Sequence, residues 1–152
     1  MRAEFVNPFL EAATLVYRDV LGTELIRGKL RILESPAPSH ELAIIVGVIG
    51  PANGEVIYSL NFDTAFKMAK KLVPSLKDGE VENEYKDIIG EIANMVTGNA
   101  MSIFNATGQF IDITTPNIVE TKDNSVKFGK KTTLSVNLYS KLGSLEVNIS
   151  LT

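Results

Sequence analysis

Between residues 84 and 105, apolar and polar positions alternate with the period of an α-helix. At about 100° per residue, Ile88, Ile89, Ile92, Met95, Val96, Ile103 and Phe104 fall on one broad face. Asp87, Glu91, Asn94, Gly98 and Asn105 fall in one line on the opposite face. The spacing predicts a helix over Glu84–Asn105 with an apolar side against a core, and Gly108 follows its end. A second helical pattern covers residues 7–21: Phe9, Leu10, Ala13, Val16, Tyr17 and Val20 recur at helical spacing. Asn7 stands at the cap position, Pro8 suits the first turn and Gly22 stands where a glycine ends a helix. A short third helix is predicted over Thr64–Leu72, capped by Asp63 and stopped by Pro74.

The remaining apolar runs are short and rich in β-branched residues. Leu42–Ile49 and Glu55–Leu60 flank Gly50-Pro51-Ala52-Asn53-Gly54, a turn cluster ending in Asn-Gly, and predict a hairpin. Leu25–Leu33, Thr132–Tyr139 and Leu145–Leu151 read as strands, the last two joined by Ser140-Lys141-Leu142-Gly143. Phe110–Ile113 and Ile118–Val119 surround Thr114-Thr115-Pro116, and Pro36-Ala37-Pro38-Ser39 reads as a loop. Helices interspersed with antiparallel hairpins predict an α+β fold: a single domain over 1–152, with a mostly antiparallel sheet and two long helices packed on it.

Composition narrows the chemistry. The chain of 152 residues is 45% hydrophobic and 22% charged, ordinary values for a soluble domain with a full core. Its net charge of −3 counts against nucleic acid as the main partner, because phosphate affinity comes from clustered bases. The basic doublets Lys70-Lys71 and Lys130-Lys131 read as solvated surface. There is no cysteine and a single histidine, His40, which excludes thiolate chemistry and any two-histidine metal site within one chain. His40 lies in a Pro/Ser-rich segment and reads as an exposed loop residue. Met68, Met95 and Met101 read as core filler. No signal peptide or membrane span is apparent, so a cytoplasmic protein is expected.

The polar stripe of the long helix is the one feature with unusual chemistry. Lys86 is the only base between Glu84 and the helix end, and small residues flank the stripe: Gly90, Ala93, Thr97 and Gly98. Each glycine inside a helix costs about 1 kcal/mol relative to alanine, and close approach of another surface is one reason to accept that cost. Taken alone, the stripe still reads as an ordinary exposed helix face, and the glycines and missing bases count against that without overturning it. Asp87 and Glu91, one turn apart, make a poor cation site because no further acids or glycine-bearing loop accompany them.

Asp87-x3-Glu91-x2-Asn94, followed by 21 residues and then Pro116, resembles the signature of the CheC/CheX/FliY phosphatases of bacterial and archaeal chemotaxis. The resemblance extends to Ile89-Gly90-Glu91-Ile92-Ala93-Asn94-Met95 and to Asp112-Ile113-Thr114-Thr115-Pro116. Arg18-Asp19-Val20-Leu21-Gly22 and the hairpin segment Gly54-x-Val56-Ile57-Tyr58-Ser59 resemble the CheX branch in particular. A single copy of the Glu-x2-Asn helix agrees with that branch, since CheC-type proteins carry two; Glu4 and Asn7 lack a downstream proline at the matching distance.

The resemblance implies a phosphatase for the phospho-aspartate of a CheY-like response regulator, with Glu91 and Asn94 as the catalytic pair. Asn94 would orient the attacking water, as the glutamine of small GTPases does. Glu91 would pair with the partner's active-site lysine and set register between the two proteins. Asp87, Gly90, Gly98 and Pro116 would support the helix or contact the partner. No metal or other cofactor of its own is expected; Mg²⁺ would sit on the response regulator. The resemblance also implies a homodimer formed through sheet edges, for which Leu145–Leu151 is the expected edge. The alternative within the same superfamily is a non-catalytic binding module or adaptor of the chemotaxis and flagellar switch system.

Overall fold

The computed structural model describes residues 3–34, 38–122 and 132–152; Pro36 and Ala37 of the expected loop and the Lys130-Lys131 doublet lie outside them. Among these residues seven strands form one antiparallel sheet: β1 (Ile26–Glu34), β2 (Leu42–Ile49), β3 (Gly54–Leu60), β4 (Asp112–Ile113), β5 (Asn117–Glu120), β6 (Thr132–Ser140) and β7 (Gly143–Leu151). Their order across the sheet is β1-β6-β7-β3-β2-β4, and β5 also pairs with β2. The α+β expectation is met. Among the described residues three α-helices cover one face: α1 (Asn7–Asp19), α2 (Phe62–Leu72) and α3 (Asp78–Ala106), the last 29 residues long.

The core lies between the helical layer and the alternate residues of the strands. Ile44, Val46 and Val48 of β2, Val56, Tyr58 and Leu60 of β3, and Val147, Ile149 and Leu151 of β7 point into it. Two aromatic clusters clamp α3 near its ends. Phe66 of α2 meets Tyr85 edge-on at 4.9 Å between ring centroids, and Phe9 of α1 meets Phe104 at 5.8 Å. The opposite face of the sheet carries buried Ser59, Thr133, Ser135, Glu146 and Asn148. The Glu146 carboxylate there accepts from the Ser39 hydroxyl at 2.6 Å and from the Asn148 amide at 2.8 Å.

Several local expectations are corrected. The strand Leu145–Leu151 is not an edge: β7 sits between β3 and β6, paired along both sides. Its light charge reflects burial in the middle of the sheet, and among the described residues the long open edge is β1. Helix α2 begins at Phe62 and is capped by Asn61, whose side-chain oxygen accepts from the Thr64 N–H at 2.8 Å. Asp63 instead pairs with Lys67 one turn on, at 2.9 Å. Asn7 is already helical, because a short 3₁₀ turn over Ala3–Phe5 leads into α1 and Val6 takes the cap position. Helix α3 starts six residues earlier than its apolar pattern, at Asp78, where the Glu80 carboxylate accepts from the Lys77 N–H at 3.0 Å. His40 is half-buried rather than exposed; its N–H donates to the Ser59 hydroxyl and its carbonyl accepts from Thr121.

Candidate functional site

Helix α3 carries the site on its outer face. Ile89, Ile92, Ala93, Val96, Ala100 and Phe104 bury its inner side. Glu91, Asn94 and Asp87 are exposed on the outer one. Among the described residues, no hydrogen bond or ion pair engages the side chains of Glu91 and Asn94. A carboxylate and an amide one turn apart on a rigid helix therefore face solvent with their hydrogen-bonding capacity unspent.

The wall beside them is built by the chain after α3. β4 and β5 lie end to end along β2: Ile113 is opposite Val48 and Asn117 is opposite Ile45. Between these pairs, Thr114, Thr115 and Pro116 face only Val46 and Gly47, so the segment holds one residue too many and bulges. Thr114 anchors the bulge, because its N–H donates to the Gly47 carbonyl at 3.0 Å and its hydroxyl accepts from the Gly47 N–H at 2.8 Å. Position 47 must be glycine for this contact: a Cβ there would meet the Thr114 side chain at 2.9 Å. Proline is tolerated at a bulge because it has no N–H to give to a ladder.

The bulge and the helix together form an open groove lined by Lys86, Asp87, Gly90, Glu91, Asn94, Thr115, Pro116 and Ile118. The groove unites Pro116 with the stripe across the 21 intervening residues. Lys86 Nζ pairs with Glu120 Oε1 at 3.5 Å, so the groove's one base is tied to β5. In the sequence Lys86 stands out only as a base, and nothing marks Thr115 or Ile118 as groove residues except the place of Thr115 next to Pro116.

The small residues divide into three kinds. Gly90 is crowded from within, since a Cβ there would stand 3.2 Å from Ile118 Cδ1 of β5, close enough that the end of that side chain would have to shift. Gly98 has nothing within 4 Å of its would-be Cβ and lies outside the groove lining. Ala93 and Thr97, expected on the exposed flank, are buried at 4% and 0%, and the Tyr58 side chain of β3 reaches Thr97 on that side of the helix. Among the described residues, no group of three or more His, Asp or Glu side chains could hold a metal ion, and no helix is long and apolar enough to cross a membrane.

A single antiparallel sheet covered on one face by helices, with an open groove on the outer face of the longest, defines the α+β class of this protein. The chain belongs to the chemotaxis phosphatase CheX family, whose model matches residues 42–138. It is 29% identical over 142 residues to the CheY-P phosphatase CheX of Thermotoga maritima, covering 93% of this chain and 92% of that one. Among solved structures, it resembles CheX from Vibrio vulnificus at 26% identity and a TM-score of 0.84, covering 99% of this chain and 100% of that one. It also resembles a CheX–CheY–BeF3–Mg²⁺ complex from Borrelia burgdorferi at 26% identity and a TM-score of 0.73, covering 99% of each chain.

Proposed function

We propose that this protein, acting as one domain over residues 1–152, hydrolyses the phospho-aspartate of a CheY-like response regulator, with the groove of α3 seated on the regulator's active site. The observation that carries this reading is the pair Glu91 and Asn94: exposed, unengaged and flanked by Pro116 in an open groove. An open groove cannot enclose a small substrate, but it can complete a site whose other half is on a partner. The membership of a phosphatase family and the likeness to a relative crystallised with CheY, BeF3 and Mg²⁺ support it.

In this reading the partner brings the acyl phosphate, Mg²⁺ and a lysine, and lacks a positioned water. Hydrolysis of a phosphoryl group is largely positioning and charge stabilisation. The Asn94 side-chain oxygen accepts a proton of the attacking water and aims its oxygen at phosphorus. Glu91 accepts from the partner's lysine and fixes register; Asp87, one turn before it, borders the contact. Gly98 gives clearance farther along the helix, and Pro116 shapes the opposite wall. The chain itself supplies no metal, and the reaction takes place in the cytoplasm, where the regulator is. The reading includes a homodimer through β1, the nine-residue open edge that carries exposed Ile26 and Ile32. A monomer mass in solution at assay concentration would remove the dimer.

The test is the decay of the phosphorylated regulator with and without the protein. Asn94→Ala is expected to lower turnover on the order of a hundredfold while binding stays measurable. Glu91→Ala is expected mainly to weaken docking. Full activity in Asn94→Ala would overturn the assignment. Unchanged decay together with tight binding would place the protein with the non-catalytic adaptors.

A further inference from the structure

Beneath the motif, Tyr58 of β3 and Thr97 of α3 form a buried polar contact in a mostly apolar layer. Both side chains are shut off from solvent, at 2% and 0% exposure, and their oxygens lie 2.9 Å apart. Thr97 spends its one hydroxyl proton on the Ala93 carbonyl at 2.8 Å. The Tyr58 hydroxyl must then be the donor to Thr97, so a chain runs from the sheet through Tyr58 and Thr97 to the backbone of residue 93, next to Asn94. Burial holds the Tyr58 phenol well above its ordinary range, so it stays protonated and remains a donor.

The contact has a counterpart on the other side of the motif. Tyr85 and Lys86 both reach Glu120 of β5, at 3.5 Å each. The two polar ties bracket Glu91 and Asn94 along the helix axis. The packing under the motif is mostly apolar apart from the Tyr17 hydroxyl, which donates to Met68 Sδ at 3.4 Å, and it leaves a narrow void lined in part by Tyr58, Ile89, Ile92, Ala93 and Val96. The aromatic clamps hold the ends of α3, and between them a directional hydrogen bond fixes the helix's rotation more sharply than apolar contact beside a void does. The Asn94 amide lies about 6 Å from the helix axis, so a 10° turn moves it about 1 Å. A misplacement of that size is enough to cost a large factor in a positioned reaction. A Phe–Val pair of similar shape could fill the same space at little cost in stability, so stability alone does not account for the polar atoms.

We infer that Tyr58 and Thr97 are positioning residues for the reaction: their buried hydrogen bond sets the rotation of α3 and thereby the place of the Asn94 amide against the partner. The inference rests on the phosphatase reading of Asn94. It is tested with Tyr58→Phe/Thr97→Val, Thr97→Val, Thr97→Ser and Asn94→Ala, each assayed for melting temperature, affinity for the BeF3-bound regulator and single-turnover decay of the phosphorylated one. The double variant is expected to melt cooperatively near the parent and to bind with unchanged affinity, with turnover lower by about tenfold. Thr97→Ser, which keeps the hydroxyl, is expected to hold parental turnover where Thr97→Val loses it; this comparison decides the matter if the double variant fails to fold. Parental turnover in Thr97→Val or in a folded double variant overturns the inference. If Asn94→Ala is inactive in the same series, only the inference falls; if Asn94→Ala is fully active, the phosphatase reading falls with it.

Discussion

Gly98 offers a direct measure of what the polar stripe is for. It stands inside α3, on the same line as Asp87, Glu91 and Asn94, and a Cβ added there would meet nothing within 4 Å. Gly98→Ala therefore creates no clash in the free protein. It removes the backbone entropy that a helical glycine loses on folding, a gain of about 1 kcal/mol. For a chain of this length that gain corresponds to a rise of about 2–4 °C in melting temperature. The free protein thus gives no reason for glycine at this position, whereas a partner lying close against the helix does. Thermal and urea unfolding should show the stabilisation. Titration with the BeF3-bound regulator should show affinity reduced severalfold, and Gly98→Leu should reduce it further. A stabilised Gly98→Ala protein that docks and turns over like the parent would refute the clearance role. A variant with no gain in stability would refute the description of the helix at this position.

Two other outcomes follow from the packing. Gly47→Val should displace Thr114, break the pair of hydrogen bonds that anchors the bulge and shift Pro116, with turnover falling at least tenfold and stability by about 2 kcal/mol; denaturant melts and the decay assay check both. Burial holds the phenols of Tyr17 and Tyr58 protonated well above their ordinary value of 10.0. The unfolded chain then loses these protons first as pH rises, so each tyrosine lowers stability by about 1.4 kcal/mol per unit above pH 10 and has no effect below it. Urea melts between pH 9 and 11 should show the slope, and Tyr58→Phe should remove the Tyr58 part of it.

Local signals were legible wherever the deciding physics is local. The 3.6-residue period placed Glu91, Asn94 and Asp87 on one exposed line of α3, because rotation about a helix axis depends only on spacing along the chain. The Asn-Gly turn between β2 and β3 is local in the same sense. The first turn of α3 was missed because Asp78–Asn83 is mostly polar and its cap is a lysine answered by Glu80, without the serine, threonine or aspartate that usually marks a helix start. Other outcomes depended on which segments meet. β7 reads like an edge strand by charge, yet it is central because β3 and β6 both pair with it. Thr97 reads like the rim of the stripe, yet Tyr58 buries it. Gly90 reads like clearance for a partner, yet Ile118 crowds it from within. Pro116 reaches the side of Asn94 only because β4 and β5 fold back along β2 with one residue to spare. The sequence by itself determined which residues share the face of the helix; the tertiary structure decided what stands against that face, because long-range strand pairing and packing set the neighbours of a residue independently of its spacing along the chain.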